Sequence, residues 1–139
     1  MSEESATPDL VERVRIILEA ADRADFDTIL SFYAPGAVWD MPDGLGTFEG
    51  EAAIRGFWED WWSSYESLDL ELHEILDLGN GIVFAPFRFS GPPKGTAVEI
   101  QTEMAIVYEW VHGSVARATS YRDVDEARAA AERLAEERA

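Results

Sequence analysis

Apolar positions along this chain fall into two rhythms, helical at first and alternating later. Leu10, Val14, Ile17, Leu18 and Ala21 recur at three and four residues, which predicts one face of an amphipathic helix. Thr7-Pro8-Asp9 reads as its start, with Thr as cap, Pro at the first helical position and the acid at the positive end of the dipole. Asp25 caps a predicted second helix whose inner stripe is Phe26, Ile29, Leu30 and Tyr33, stopped by Pro35-Gly36. A short strand over 37–40 and a Pro/Gly-rich loop over 41–50 lead to a third helix over 51–65. Its Ile54, Phe57, Trp58, Trp61 and Tyr65 share a face that Trp62 widens.

From Leu68 the period becomes two. Leu68, Leu70, Leu72, Leu76 and Leu78 alternate with Asp69, Glu71, His73 and Asp77. Glu74 sits on the apolar side, so either a bulge resets the register there or a carboxylate faces inward. Asn80-Gly81 is a two-residue hairpin signal, followed by strands over 82–90, 98–111 and 115–121. Asp123 with Glu126 resembles a capping box opening a last helix over 124–138. Leu134 is its one large apolar anchor, so it reads as a solvated appendage or a partner contact.

Helices that precede an antiparallel meander give the α+β class. The expected architecture is a cone: a curved antiparallel sheet with three N-terminal helices on its concave face, plus a C-terminal helix. The chain reads as a single domain, 1–139, in which 1–8 is a polar tail and 123–139 carries the last helix. The apolar share of 47% can build a core of this size, and no cysteine is present for disulfide or thiolate chemistry.

Residues 1–8 lack a basic start and an apolar run, and no apolar stretch is long enough to span a bilayer, so a cytoplasmic protein is expected. A net charge of −17, from 28 acidic and 11 basic residues, repels phosphate backbones and anionic lipid. Nucleic-acid and membrane partners are therefore not expected. His73 and His112 are isolated and no Gly-rich phosphate loop follows a strand, so neither metal nor cofactor is expected.

The candidate chemistry centres on Asp40, which ends the short strand beside the aromatic helix. A carboxylate at the mouth of an apolar hollow has its pKa raised and suits general acid or base work. Equally, Asp40 can cap the loop by accepting bonds from N–H groups near Asp43 or Gly44. Glu103 is the second candidate acid. Its strand is apolar on both faces, and the alternative is a cross-strand salt bridge with an arginine such as Arg117. Trp58 and Trp62, with Tyr33, Phe87, Phe89 and Ser120, are the candidate wall for a compact apolar or aromatic molecule, although aromatics at helical spacing also build ordinary core.

The wording FYAPGAVWDMPDG, then FEGEAAIRGFW and LDLGNG, resembles the nuclear transport factor 2-like superfamily, and within it the SnoaL-like branch related to polyketide cyclases. That family includes isomerases, epoxide hydrolases, cyclases, dehydratases and domains with no chemistry. The resemblance implies a lyase, isomerase or cyclase with Asp40 as base or acid; the alternative is a non-catalytic ligand-binding or dimerisation domain. Ketosteroid isomerases place their base where Asp40 stands and an aromatic where Trp58 stands. Ile17 and Ala105 stand where their two oxyanion donors are expected, so steroid isomerisation is not expected. Ser120 stands where the epoxide hydrolases have an acid. The resemblance further implies that the Ala105 side of its strand faces the pocket, and that cones pair as homodimers through the outer sheet face, here with Ile106 and Tyr108 exposed.

Overall fold

A computed structural model describes residues 9–41 and 45–139. The predicted tail, the Thr7-Pro8 part of the first helix start and residues 42–44 of the loop lie outside the described residues. Three helices, α1 (Leu10–Asp22), α2 (Phe26–Leu30) and α3 (Glu51–Ser63), precede most of the sheet, and α4 (Val124–Glu137) ends the chain. The strands are β1 (Tyr33–Met41), β2 (Gly46–Glu49), β3 (Asp69–Leu72), β4 (Leu76–Gly79), β5 (Ile82–Gly91), β6 (Ile100–Val111) and β7 (Ser114–Tyr121). This is the expected α+β class.

Local signals set most boundaries. The Asp9 carboxylate accepts the Glu12 backbone N–H at 3.1 Å, so Asp9 rather than Thr7 caps α1. Asp25 and Asp123 do the same for α2 and α4, accepting from Thr28 and Glu126. Asn80 and Gly81 both take positive φ (58° and 82°), as a type I′ hairpin requires, and His112-Gly113 repeats the device.

The predicted second helix is shorter and the strand after it longer than the pattern suggests. Tyr33 leaves the helix and opens β1, which runs through Pro35-Gly36 to Met41. The pairing with β7 is irregular between Tyr33 and Val38, so the proline falls where no regular ladder bond is needed. Part of the predicted loop forms β2, antiparallel to β1. The alternating run from Leu68 divides into β3 and β4, both pairing with β5. The chain resets between them: Glu74 is exposed and Ile75 is buried.

The sheet is mixed rather than wholly antiparallel. Its order is β2-β1-β7-β6-β5-β3, with β4 also on β5, and β1 runs parallel to β7. No hairpin joins that pair: α3 and five strands intervene, so no short turn dictates their relative direction.

Each face of the curved sheet has its own apolar cluster. On the inner face Val14, Ile17 and Leu18 of α1, Ile29 of α2, and Ile54 and Trp58 of α3 pack against Trp39, Phe87, Met104, Ile106 and Tyr108. Each such side chain contributes roughly 1.5–3 kcal/mol by leaving water. On the outer face Ala127, Ala131 and Ala135 of α4 pack on Ile82, Phe84, Ala105 and Val107. Alanines at every fourth residue share one face and let the helix lie close to the strands. The Asn80 side-chain amide donates to the Ala135 carbonyl at 2.7 Å, and Arg138 donates to the carbonyls of Asn80 and Trp110 at 3.0 and 2.9 Å.

The last helix is thus a core element and not a solvated appendage. The arrangement also corrects the expected dimer surface. Ile106 and Tyr108 are 5% and 1% exposed and face inward, and the outer sheet face behind them is occupied by the chain's own α4.

Candidate functional site

Between the helices and the inner sheet face lies a hollow of about 60 Å³. Its floor comes from the sheet: Tyr33, Trp39 and Met41 of β1, Phe87 of β5, Met104, Ile106 and Tyr108 of β6, and Ser120 of β7. Ile17, Leu18 and Ala21 of α1 and Ile29 of α2 close one side. Phe57, Trp58, Trp61 and Trp62 of α3, with Leu70, close the other. Met41, Phe57, Trp61, Trp62 and Leu70 are only partly buried and mark the open side.

The aromatic rings brace one another. Trp58 stands edge-on to both Tyr33 and Trp39, at centroid separations of 5.7 and 5.5 Å, and Phe48 stacks on Phe57 at 4.5 Å. The α3 aromatics therefore serve as core and as cavity wall together.

Neither candidate acid lines this hollow. In β1 the inward positions are Ala37, Trp39 and Met41, so Asp40 lies on the other face by strand alternation. Its carboxylate accepts the Thr47 hydroxyl at 2.7 Å and is ion-paired with Arg117. Residues 43 and 44, to which the loop-cap reading assigned the donors, lie outside the described residues.

Glu103 also faces away. Met104, Ile106 and Tyr108 point into the hollow, whereas Ala105 and Val107 point toward α4, the reverse of the side that the resemblance implied. Glu103 accepts from Arg88 at 2.7 Å and lies 2.9 Å from the His73 ring nitrogen; Arg88 also reaches Glu71 at 3.3 Å. Its cross-strand partner is Arg88 rather than Arg117. The Arg88 hydrogen bond, and then that of His73, hold the Glu103 carboxyl below its ordinary pKa.

Of the predicted wall residues, Tyr33, Trp58, Trp62, Phe87 and Ser120 line the hollow. Phe89 is buried behind it, against Trp61 and Tyr65 at 5.1 and 6.0 Å. Trp39, Met41, Met104, Ile106 and Tyr108 belong to the wall without having been singled out. Alternation carries the signal for Trp39 and Met41 once the inward register of β1 is known.

The polar groups of the wall are neutral. Burial pushes the Tyr33 phenol well above its usual value, with the neighbouring Tyr108 adding to the rise, and burial raises Tyr108 too. The Trp39 indole N–H is buried and has no acceptor. Among the described residues the wall has no Asp, Glu, His, Lys or Arg, and no cluster of three metal-ligating side chains occurs. No helix among them is long and apolar enough to cross a membrane.

Residues 14–118 match the model of the SnoaL-like domain. The chain belongs to the SnoaL-like family. A nuclear transport factor 2-like protein of unknown function from Burkholderia pseudomallei superposes with a TM-score of 0.76 at 19% identity, over 86% of this chain and 95% of that one. Another such protein, from Burkholderia thailandensis, gives 0.75 at 21% identity, over 90% and 98%. An epoxide hydrolase of the LEH-like type from M. tuberculosis gives 0.66 at 17% identity, over 88% and 89%. At these identities the likeness is one of fold. No curated protein matches this SnoaL-like chain.

Proposed function

We propose that this SnoaL-like domain holds a compact, uncharged apolar or aromatic molecule in its hollow, and acts by binding it rather than by carboxylate acid–base chemistry. The observation carrying this reading is the wall itself. Its side chains are apolar or neutral, while Asp40 and Glu103 are engaged in ion pairs away from it. A general base must come within hydrogen-bond reach of the proton it takes, and neither acid faces the space a substrate would enter. An apolar cavity with few polar groups suits an uncharged ligand, because a buried charge needs a partner that this wall lacks.

The size of the hollow sets the scale of the ligand. An apolar cavity of roughly 150 Å³ holds benzene, so a single ring here needs part of the open side or a small movement of Trp61 and Trp62. A ring of about seven heavy atoms then binds with a Kd on the order of 0.1–1 mM.

Calorimetric titration with toluene tests the reading. Saturable one-to-one binding is expected, lost in Ala21→Phe, which fills the hollow from α1, and retained in Asp40→Asn. Absence of saturable binding, or full binding by the filled variant, contradicts it.

A further inference from the structure

We infer that the first half of β6 is a docking edge for an extended segment of another protein in which apolar and basic residues alternate. The inference concerns the rim of the sheet and does not depend on a ligand in the hollow. β6 begins at Ile100, but β7 covers it only from Ala105, which pairs with Tyr121; the chain then leaves the sheet for α4. On its other side β6 is paired with β5 without a break from Ile100 to Glu109. The Trp110 N–H points to that side, donating to the Gly81 carbonyl at 2.8 Å. Backbone polar groups point alternately to the two sides of a strand, so those of Gln101 and Glu103 point to the side that β7 leaves open. No strand among the described residues pairs with them there. The far edge of the sheet differs, because the Leu70 N–H of β3 is taken by the Asp22 carboxylate at 2.8 Å. An unpaired edge can accept a further strand through main-chain hydrogen bonds, and the side chains along it select the partner.

Those side chains differ between the two faces. Ile100 and Met104 flank Thr102 on the inner side and join the apolar cluster there, and Val98, just ahead of the strand, is 69% exposed. Gln101 and Glu103 alternate to the outer side and are exposed. On that side Glu103 of β6 and Asp69 and Glu71 of β3 set three carboxylates against the Arg88 guanidinium, with the His73 ring beside Glu103. A strand laid along this edge therefore meets an apolar row on one face and an acidic row on the other. Alternating aliphatic and cationic side chains complement both. A second copy of this chain fits less well: it brings the same acidic row, and each chain carries a net charge of −17.

The test titrates the full chain against a fluorescein-labelled peptide of about seven alternating arginine and valine residues, followed by fluorescence anisotropy and by amide nitrogen–proton NMR. Saturable binding is expected, with the Gln101 and Glu103 amides shifting and the Leu70 amide unmoved. The same peptide N-methylated along its backbone keeps the charge and loses the main-chain donors, and should bind at least about tenfold more weakly. Gln101→Pro removes one open-side N–H and leaves the bonds to β5 in place, and should weaken the parent peptide by about the same factor. The N-methylated peptide carries the test on the unaltered chain should that variant fold poorly. Equal binding of the methylated peptide would mean charge attraction alone and overturns the docking edge. Shifts centred elsewhere, or no saturable binding, overturn it as well. Shifts of Gln101 and Glu103 on concentrating the chain without peptide would give the edge to a second copy and overturn the assignment of the partner.

Discussion

Arg117 on β7 is ion-paired with Asp40 on β1, and both sit on the sheet face opposite the one that lines the hollow. The pair ties the two parallel strands together at the edge of the fold where no hairpin connects them. The Asp40 side chain is 18% exposed and that of Arg117 44%, so solvent screens the attraction in part.

Asp40→Asn should therefore act on stability. A loss of about 1 kcal/mol is expected, seen as a melting temperature lower by about 3–4 °C, with toluene affinity within about twofold of the parent. Calorimetric scanning and titration check the two parts. A variant with unchanged melting temperature and abolished binding would restore Asp40 to the ligand site.

That pair also marks where the sequence stops being readable. Asn80-Gly81, the Asp25 and Asp123 caps and the helix periodicities are local instructions, and each produces the element it signals, except that the second helix stops at Leu30 and Tyr33 of its stripe opens β1. The face on which Asp40 lies is not local. A shift of one residue along β1 exchanges Asp40 for Met41 at the hollow, and only pairing with β7 settles which is inward. Likewise both faces of β6 are apolar because each is buried, one by the N-terminal helices and one by α4. The alanine face of α4 reads as weak because its worth depends on the sheet it meets.

Two glutamates should respond to pH in opposite senses. Burial raises the Glu109 carboxyl above its ordinary pKa, with Arg138 opposing only in part. Its favourable contribution is present below the ordinary carboxylate range and lost as pH rises through the folded value. Glu109→Gln should accordingly raise the melting temperature at pH 7 and give no gain near pH 3. Glu103, held low by Arg88 and His73, contributes above that range and loses its contribution on acidification. Glu103→Gln should lower the melting temperature at pH 7 and leave it unchanged near pH 3. Melting curves at the two pH values check both signs.

Ligand affinity should be flat with pH. Both cavity tyrosines are raised by burial and stay protonated through the neutral range, and the described wall has no other ionisable group. Toluene titrations from pH 5 to 9 should agree within about twofold. An inflection inside that window would require an ionising group in the wall.

Removing α4 should expose the outer sheet face. A chain ending at Arg122 uncovers Ile82, Phe84 and Val107, which α4 buries with Ala127 and Ala131. Contiguous apolar surface of this kind promotes association. Light scattering should show the shortened chain forming dimers or larger species at concentrations where the full chain does not. A shortened chain that stays monomeric would mean that the helix is not what keeps this face from pairing.

The location of the ligand decides the account most directly. Methyl carbon–proton NMR spectra recorded during a toluene titration report on both faces of the sheet at once. Saturable shifts are predicted for the methyl groups of Ile17, Leu18, Met104 and Ile106, which line the hollow, with those of Val107 and Leu134 under α4 unmoved. Shifts confined to Val107 and Leu134, or none that saturate, would contradict a ligand site between the N-terminal helices and the inner sheet face.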